Sequence, residues 1–180
     1  IEGAQSEARG LAVIAEAKRL IPNKPIRYVV NTHAHFDHSS GLRPFVAEGA
    51  TIITHEINKP YFERLFAMPR TLSPDKMAES KRKPKFETVQ DKKVLTDGNH
   101  VIELHRMTNI GHHDGLLMAW FPKEKVLLEA DAYNPGAVNA QPPAQPSPYN
   151  LSLVDNVRRL NLDVQRIVPV HYPADNRQIT

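Results

Sequence analysis

Four side chains able to bind a metal ion fall within six positions: His33, His35, Asp37 and His38. They follow residues 26–31, Ile-Arg-Tyr-Val-Val-Asn, a β-branched and aromatic run of strand length. Within a strand, successive side chains splay to opposite faces. Where the strand ends the chain turns, and alternate side chains can converge. Neutral imidazoles and a carboxylate are the usual ligands of zinc and related divalent ions. The cluster therefore predicts a buried strand that runs directly into a metal-binding loop.

The rest of the chain supplies the frame. Ser6 is suited to cap a helix in which Ala8, Leu11, Ala12 and Ala15 recur at helical spacing until Pro22. A short helical stretch after Gly41 ends near Gly49, and residues 50–54 form another apolar strand. This succession of strand, turn, helix and strand predicts a sheet covered by helices. Residues 57–66 read as a helix with Pro60 in its first turn, where proline is tolerated. Residues 68–85 are polar and basic, with Lys81, Arg82, Lys83 and Lys85 clustered, and read as a solvated helix or surface excursion.

Two hairpins follow, residues 93–96 with 100–107 about Asp97-Gly98, and residues 116–121 with 126–129 about Pro122-Lys123-Glu124. Pro135, Pro142, Pro143, Pro146 and Pro148 then exclude regular structure and predict an extended loop over about 134–149. Asn150 is placed to cap a helix carrying Leu151, Val154, Val157 and Leu160, and residues 166–170 form a last strand ending at His171. A single domain over residues 1–180 is expected at this length.

Composition narrows the function classes. Hydrophobic residues at 41% and charged residues at 24% match a folded globular chain and exclude general disorder. The longest apolar runs are far too short to span a bilayer, so no membrane partner is expected. The absence of cysteine removes disulfides, thiolate catalysis and zinc fingers. A net charge of +3 does not by itself indicate a nucleic-acid partner. The basic cluster motivates a nucleic-acid processing module as one alternative, but no aromatic residues interleave it.

The segment from Val30 to His38, Val-Asn-Thr-His-Ala-His-Phe-Asp-His, carries the pattern H-x-H-x-D-H with Gly41 close behind. It resembles the metallo-β-lactamase superfamily. Three further segments match in order. These are Gly111-His112-His113-Asp114-Gly115, then Glu129-Ala130-Asp131 where the family usually has Gly-Asp, and Pro169-Val170-His171 where it usually has Pro-Gly-His. The resemblance implies an α/β (α+β) fold, the αββα sandwich of that superfamily.

It also implies a ligand set. His33, His35 and His112 would hold one divalent ion, and Asp37, His38 and His171 a second, with Asp131 bridging ions about 3.5–4 Å apart. Zinc is the default, with iron or manganese possible. A hydroxide held between the ions would attack a carbonyl or phosphoryl centre, with Asp37 orienting it. The implied activity is hydrolysis of a small-molecule lactone, β-lactam, thioester or phosphoester. Family spacing to Gly115 selects His112 over His113. Tyr133 and Tyr172 could reach the cleft, whereas His55, His100 and His105 lack partners of matching spacing and read as structural or exposed.

Against that family pattern, Ile1-Glu2 reads as the end of a strand block whose earlier strands are missing. Such an N-terminally truncated chain would expose sheet edge and apolar face, so a homo-oligomer is expected. A non-catalytic metal-binding remnant is the other alternative, disfavoured because all the ligand positions are filled.

Overall fold

The computed structural model describes residues 1–141, 143–173 and 175. Pro142, part of the expected proline-rich loop, lies outside the described residues. The chain divides into two compact units, Ile1–Thr88 and a second beginning at Val89.

In the first unit, α1 (Glu7–Leu20) starts where Ser6 Oγ accepts the backbone N–H of Arg9 and ends beyond Lys18 and Arg19, cations that suit a helix C-terminus. Its buried face is Gly10 and Ile14. Gly10 is required by contact, since a Cβ there would collide with the carbonyl oxygen of Gly41. Strand β1 (Tyr28–Val30) runs parallel to β2 (Thr51–His55), with Val29 opposite Ile52. The connection carries the one-turn α2 (Phe36–Ser39) and α3 (Leu42–Glu48), which Gly49 terminates in the left-handed conformation. A 3-10 turn, Glu56–Asn58, leads into α4 (Lys59–Ala67), whose Pro60 stands in the first turn.

The basic stretch contains the expected solvated helix, but its last residue also opens a strand that the sequence did not announce. It folds into α5 (Lys76–Ser80) and then β3 (Lys85–Val89), which joins a three-stranded sheet in the order β1-β2-β3. Two features absent from its hydropathy fix it. Asp75 caps α5 by accepting the Ala78 N–H and pairs with the buried guanidinium of Arg43 on α3. Met77 and Phe86 pack on the core made by Val29, Leu42, Phe45, Ile52, Phe62 and Phe66.

The second unit is a five-stranded sheet in the order β4-β5-β6-β7-β8. Strands β4 (Lys92–Thr96), β5 (Val101–Arg106), β6 (Leu117–Phe121) and β7 (Val126–Glu129) pair antiparallel in sequence order, and the β4–β5 and β6–β7 pairs are the two predicted hairpins. Strand β8 (Arg166–Pro169) lies parallel to β7, which requires a crossover, and α6 (Pro148–Arg159) supplies it. The helix begins before the expected Asn150. Ser147 caps it and Pro148 takes its first turn, where a fixed φ and missing N–H cost nothing. Its buried residues are Ser152, Leu153 and Asn156, while Leu151 and Val154 of the expected apolar stripe face outward. Asn156 accepts the Thr108 N–H at 3.0 Å and donates to the Thr108 carbonyl at 2.8 Å, which sets the rotation of the helix. Trp120, Leu127, Met118 and Leu153 form the core beneath.

Candidate metal centre

Each unit carries its own set of potential ligands. In the first, β1 delivers Asn31, Thr32 and His33 into full burial. Asn31 closes the loop that follows, donating from Nδ2 to the carbonyls of His33 (2.7 Å) and His38 (3.1 Å) while its Oδ1 accepts from Thr54 Oγ1. Ser39 Oγ donates to His35 O at 2.8 Å and tightens the same turn. Alternate side chains converge as a result. The rings of His33 and His35 meet edge-on with centroids 4.5 Å apart, and those of His33 and His38 lie 4.3 Å apart. Asp37 Oδ2 lies 3.2 Å from His38 Nε2.

Gly41 closes the motif for a steric reason. A Cβ on Gly41 would collide with the carbonyl oxygens of Gly3 and Ser6. The same N-terminal segment brings in Glu2, a side chain that the sequence reading left as the end of a strand. Glu2 is buried, and its carboxylate accepts from Thr32 Oγ1 at 2.5 Å and from Gly3 N at 3.2 Å. It also lies 3.3 Å from His38 Nδ1. No sequence pattern marks a lone carboxylate 36 positions from its histidine.

In the second unit the hub is Asp131. Its Oδ2 lies 3.0 Å from His112 Nε2, and its Oδ1 lies 2.7 Å from His171 Nε2. One carboxylate thus meets two imidazoles through different oxygens. The backbone makes this possible, since Asp131 adopts a left-handed φ of 63°, which aspartate tolerates better than most residues. Ala130, which replaces the usual glycine, is fully buried, and the left-handed residue is its neighbour. His171 is brought alongside because Val170 N donates to Glu129 O at 2.8 Å, extending the β7–β8 ladder.

His113 does not join this group: its Nδ1 accepts the Gly115 N–H at 3.0 Å and shapes the turn before β6. Tyr149, on the first turn of α6, meets His112 edge-on with centroids 5.4 Å apart, a contact that the proline-rich sequence concealed. Tyr133 packs on the core, and Tyr172 is exposed. His55 accepts the Ile57 N–H at the 3-10 turn, and His100 pairs with Asp97 in the hairpin tip. His105 pairs with Glu103 at 2.9 Å; burial lowers its pKa despite the opposing pull of that carboxylate.

The family model for the metallo-beta-lactamase superfamily matches residues 3–171. Solved structures share the fold. A metallo-beta-lactamase from Pontibacter korlensis is similar with a TM-score of 0.68 at 16% identity, over 96% of this chain and 74% of that one. The rubredoxin oxygen:oxidoreductase from the anaerobe Desulfovibrio gigas is similar with a TM-score of 0.64 at 17% identity, over 91% of this chain and 43% of that one. The flavodiiron protein from Giardia intestinalis has a TM-score of 0.61 at 15% identity, over 93% and 42% of the two chains. The present chain therefore spans less than half the length of the latter two. No curated protein sequence matches it significantly. No helix among the described residues is long and apolar enough to cross a membrane.

Proposed function

The chain belongs to the metallo-beta-lactamase superfamily, and from that premise we propose that it is a metal-dependent hydrolase with a two-ion centre. His33, His35 and His112 would hold one ion, Asp37, His38 and His171 the other, and Asp131 would link them. The observation that carries this reading is Asp131, whose two oxygens already address two different histidines. A carboxylate placed so is suited to bridge two cations and to offset their mutual repulsion.

The donor set fits such ions. Imidazoles packed as closely as 4.3 Å, beside a carboxylate, are the ligand types that zinc takes, and the carboxylates would equally suit iron or manganese. Bound there, divalent cations supply Lewis acidity and a hydroxide at neutral pH. The chain's own part is to hold and orient. Asp37 would orient the attacking hydroxide as well as hold an ion. The substrate class is an ester-like small molecule: lactone, β-lactam, thioester or phosphoester.

The basic residues 81–85 do not argue for nucleic acid. All four cations, Lys81, Arg82, Lys83 and Lys85, are exposed, but the net charge is only +3 and no aromatic residue interleaves them, as stacking on bases would require. A screen of metal-reconstituted protein against a lactone, a chromogenic β-lactam, a thioester and a phosphodiester tests the proposal. Metal-dependent turnover of at least one is expected. Full metal occupancy with no turnover of any would leave a metal-binding protein that is not this hydrolase.

A further inference from the structure

We infer that the second unit carries a binding pocket for a small carboxylate, built by Arg159, His105 and Lys92 beside the β4–β5 pair. None of these residues belongs to the proposed metal centre, so the pocket and that centre can be tested separately.

The strand register places the polar groups. Lys92 on β4 stands opposite His105 on β5, and Glu103 lies two residues before His105, so the three side chains share one face of the sheet. Further along the same face Met118 stands opposite His105 and Trp120 opposite Glu103, and both pack with Leu153 of α6 in the apolar core. Toward β4 the face turns polar, and a pocket of about 490 Å³ opens there, walled on its far side by Arg159 and Leu160 at the end of α6.

The charges around the pocket point to its ligand. Glu103 is already engaged through both oxygens, Oε1 with Lys92 Nζ at 2.8 Å and Oε2 with His105 Nε2 at 2.9 Å. Burial works to raise the Glu103 pKa, but those two partners outweigh it and hold the carboxyl below its ordinary value. Arg159 differs. Its Nη2 donates to two neutral acceptors, Asn156 Oδ1 at 2.8 Å and Arg106 O at 3.4 Å, and no carboxylate pairs with it among the described residues. Arg106 itself alternates to the other face of β5. Arg159 thus offers the pocket a cation without a counter-charge. A carboxylate matches the planar fork of a guanidinium, and Leu160 gives an apolar wall for its hydrocarbon end. Asp91 on the rim would repel a second negative charge, which favours a monoanion over a dianion.

His105 supplies the buried side, being 4% exposed and part of the pocket lining. An ionised carboxylate only accepts, so the Nε2 that faces Glu103 carries the proton. Nδ1 makes no hydrogen bond to any described residue. Burial is the main reason the His105 pKa lies below its ordinary value; Glu103 opposes it, and the charges of Lys92 and Arg159 add to it. A carboxylate arriving beside the ring favours the imidazolium, whose Nδ1–H can donate to it. Ligand and proton are then taken up together.

Butyrate is the probe, with butyramide as its neutral isostere and sulfate as the dianion, each titrated into the intact, metal-free chain at constant ionic strength. NMR of the His105 ring and the Arg159 guanidinium reads binding. Butyrate should shift both signals saturably, butyramide should shift neither, and sulfate should bind more weakly. Arg159→Gln should weaken butyrate binding about 10-fold or more, as the loss of a charge-assisted bond implies. Butyrate should bind more tightly as pH falls from about 8 to about 6, the range in which imidazole takes up its proton, and His105→Gln should flatten that dependence.

Titration that leaves the His105 and Arg159 signals unmoved overturns the inference, as does unchanged affinity in Arg159→Gln or a wild-type affinity that does not vary with pH. Equal binding of butyramide, or a preference for sulfate, overturns it as well. Should Arg159→Gln fail to fold, Lys92→Gln, on the exposed side of the pocket, decides the matter. It leaves the Glu103 charge uncompensated and should weaken butyrate binding too, and unchanged affinity there has the same overturning force.

Discussion

Glu129 holds Asp131 in its left-handed turn. The carboxylate, fully buried at the end of β7, accepts the N–H groups of Ala132 and Tyr133 from Oε2 at 3.0 and 3.1 Å. It thereby ties the two residues that follow Asp131, which addresses His112 and His171, back to the end of β7. Replacing Glu129 by Leu should leave those buried N–H groups without their acceptor, at a cost of about 1–3 kcal/mol. Glu129→Gln, which keeps an acceptor oxygen, should cost less. Urea unfolding of the two variants measures the difference, and equal stability would show that the turn holds itself.

The roles of His112 and His113 separate cleanly by mutation. His112→Ala should lose one metal ion and reduce hydrolysis by more than the about 100-fold that removing a merely supporting residue costs. His113→Ala removes a turn contact to Gly115 and should leave metal content near that of the wild type. Elemental analysis reads both. The opposite pattern of loss would exchange the two assignments.

A pH dependence of stability follows from the Asp75–Arg43 pair in the first unit. Burial works to raise the Asp75 pKa, but hydrogen bonds from Arg43 and the Ala78 N–H, with the charges of Arg43 and Arg70, outweigh it and hold the carboxyl below its ordinary 3.8. A group whose folded pKa is depressed contributes stability that is present above its unfolded value and lost as pH falls through the folded one. Denaturation midpoints should therefore decline below about pH 4, and Asp75→Asn should flatten part of that decline. Removing one partner of a buried pair costs about 3–5 kcal/mol, so Arg43→Ala should be strongly destabilised at neutral pH. A decline unaltered by Asp75→Asn would remove this pair from the explanation.

How far the sequence was legible depended on how local each signal was. His33, His35, Asp37 and His38 could be read because a strand end gathers neighbours, and Ser6, Gly49 and Asp97-Gly98 announced their turns through backbone chemistry that one residue dictates. The two hairpins followed from short apolar runs set about Asp97-Gly98 and Pro122-Lys123-Glu124. Glu2 was not legible, since only the folded chain brings it to Thr32 and His38. Strand β3 was hidden by its lysines, because its place beside β2 is secured by Phe86 packing on Phe62 and Phe66, a long-range contact. The start of α6 was misplaced because Ser147-Pro148 reads equally well as loop or as a cap followed by a first helical residue. Its rotation is set by Asn156 and Thr108, which no hydrophobic period records.

The central claim is a centre of two ions linked through Asp131, and metal stoichiometry tests it most directly. Protein purified without chelator and reconstituted with zinc should contain about two equivalents per chain, and Asp131→Ala should lose metal from both positions. A reconstituted wild type holding fewer than about 0.3 equivalents, against the two that such a centre requires, would contradict the account.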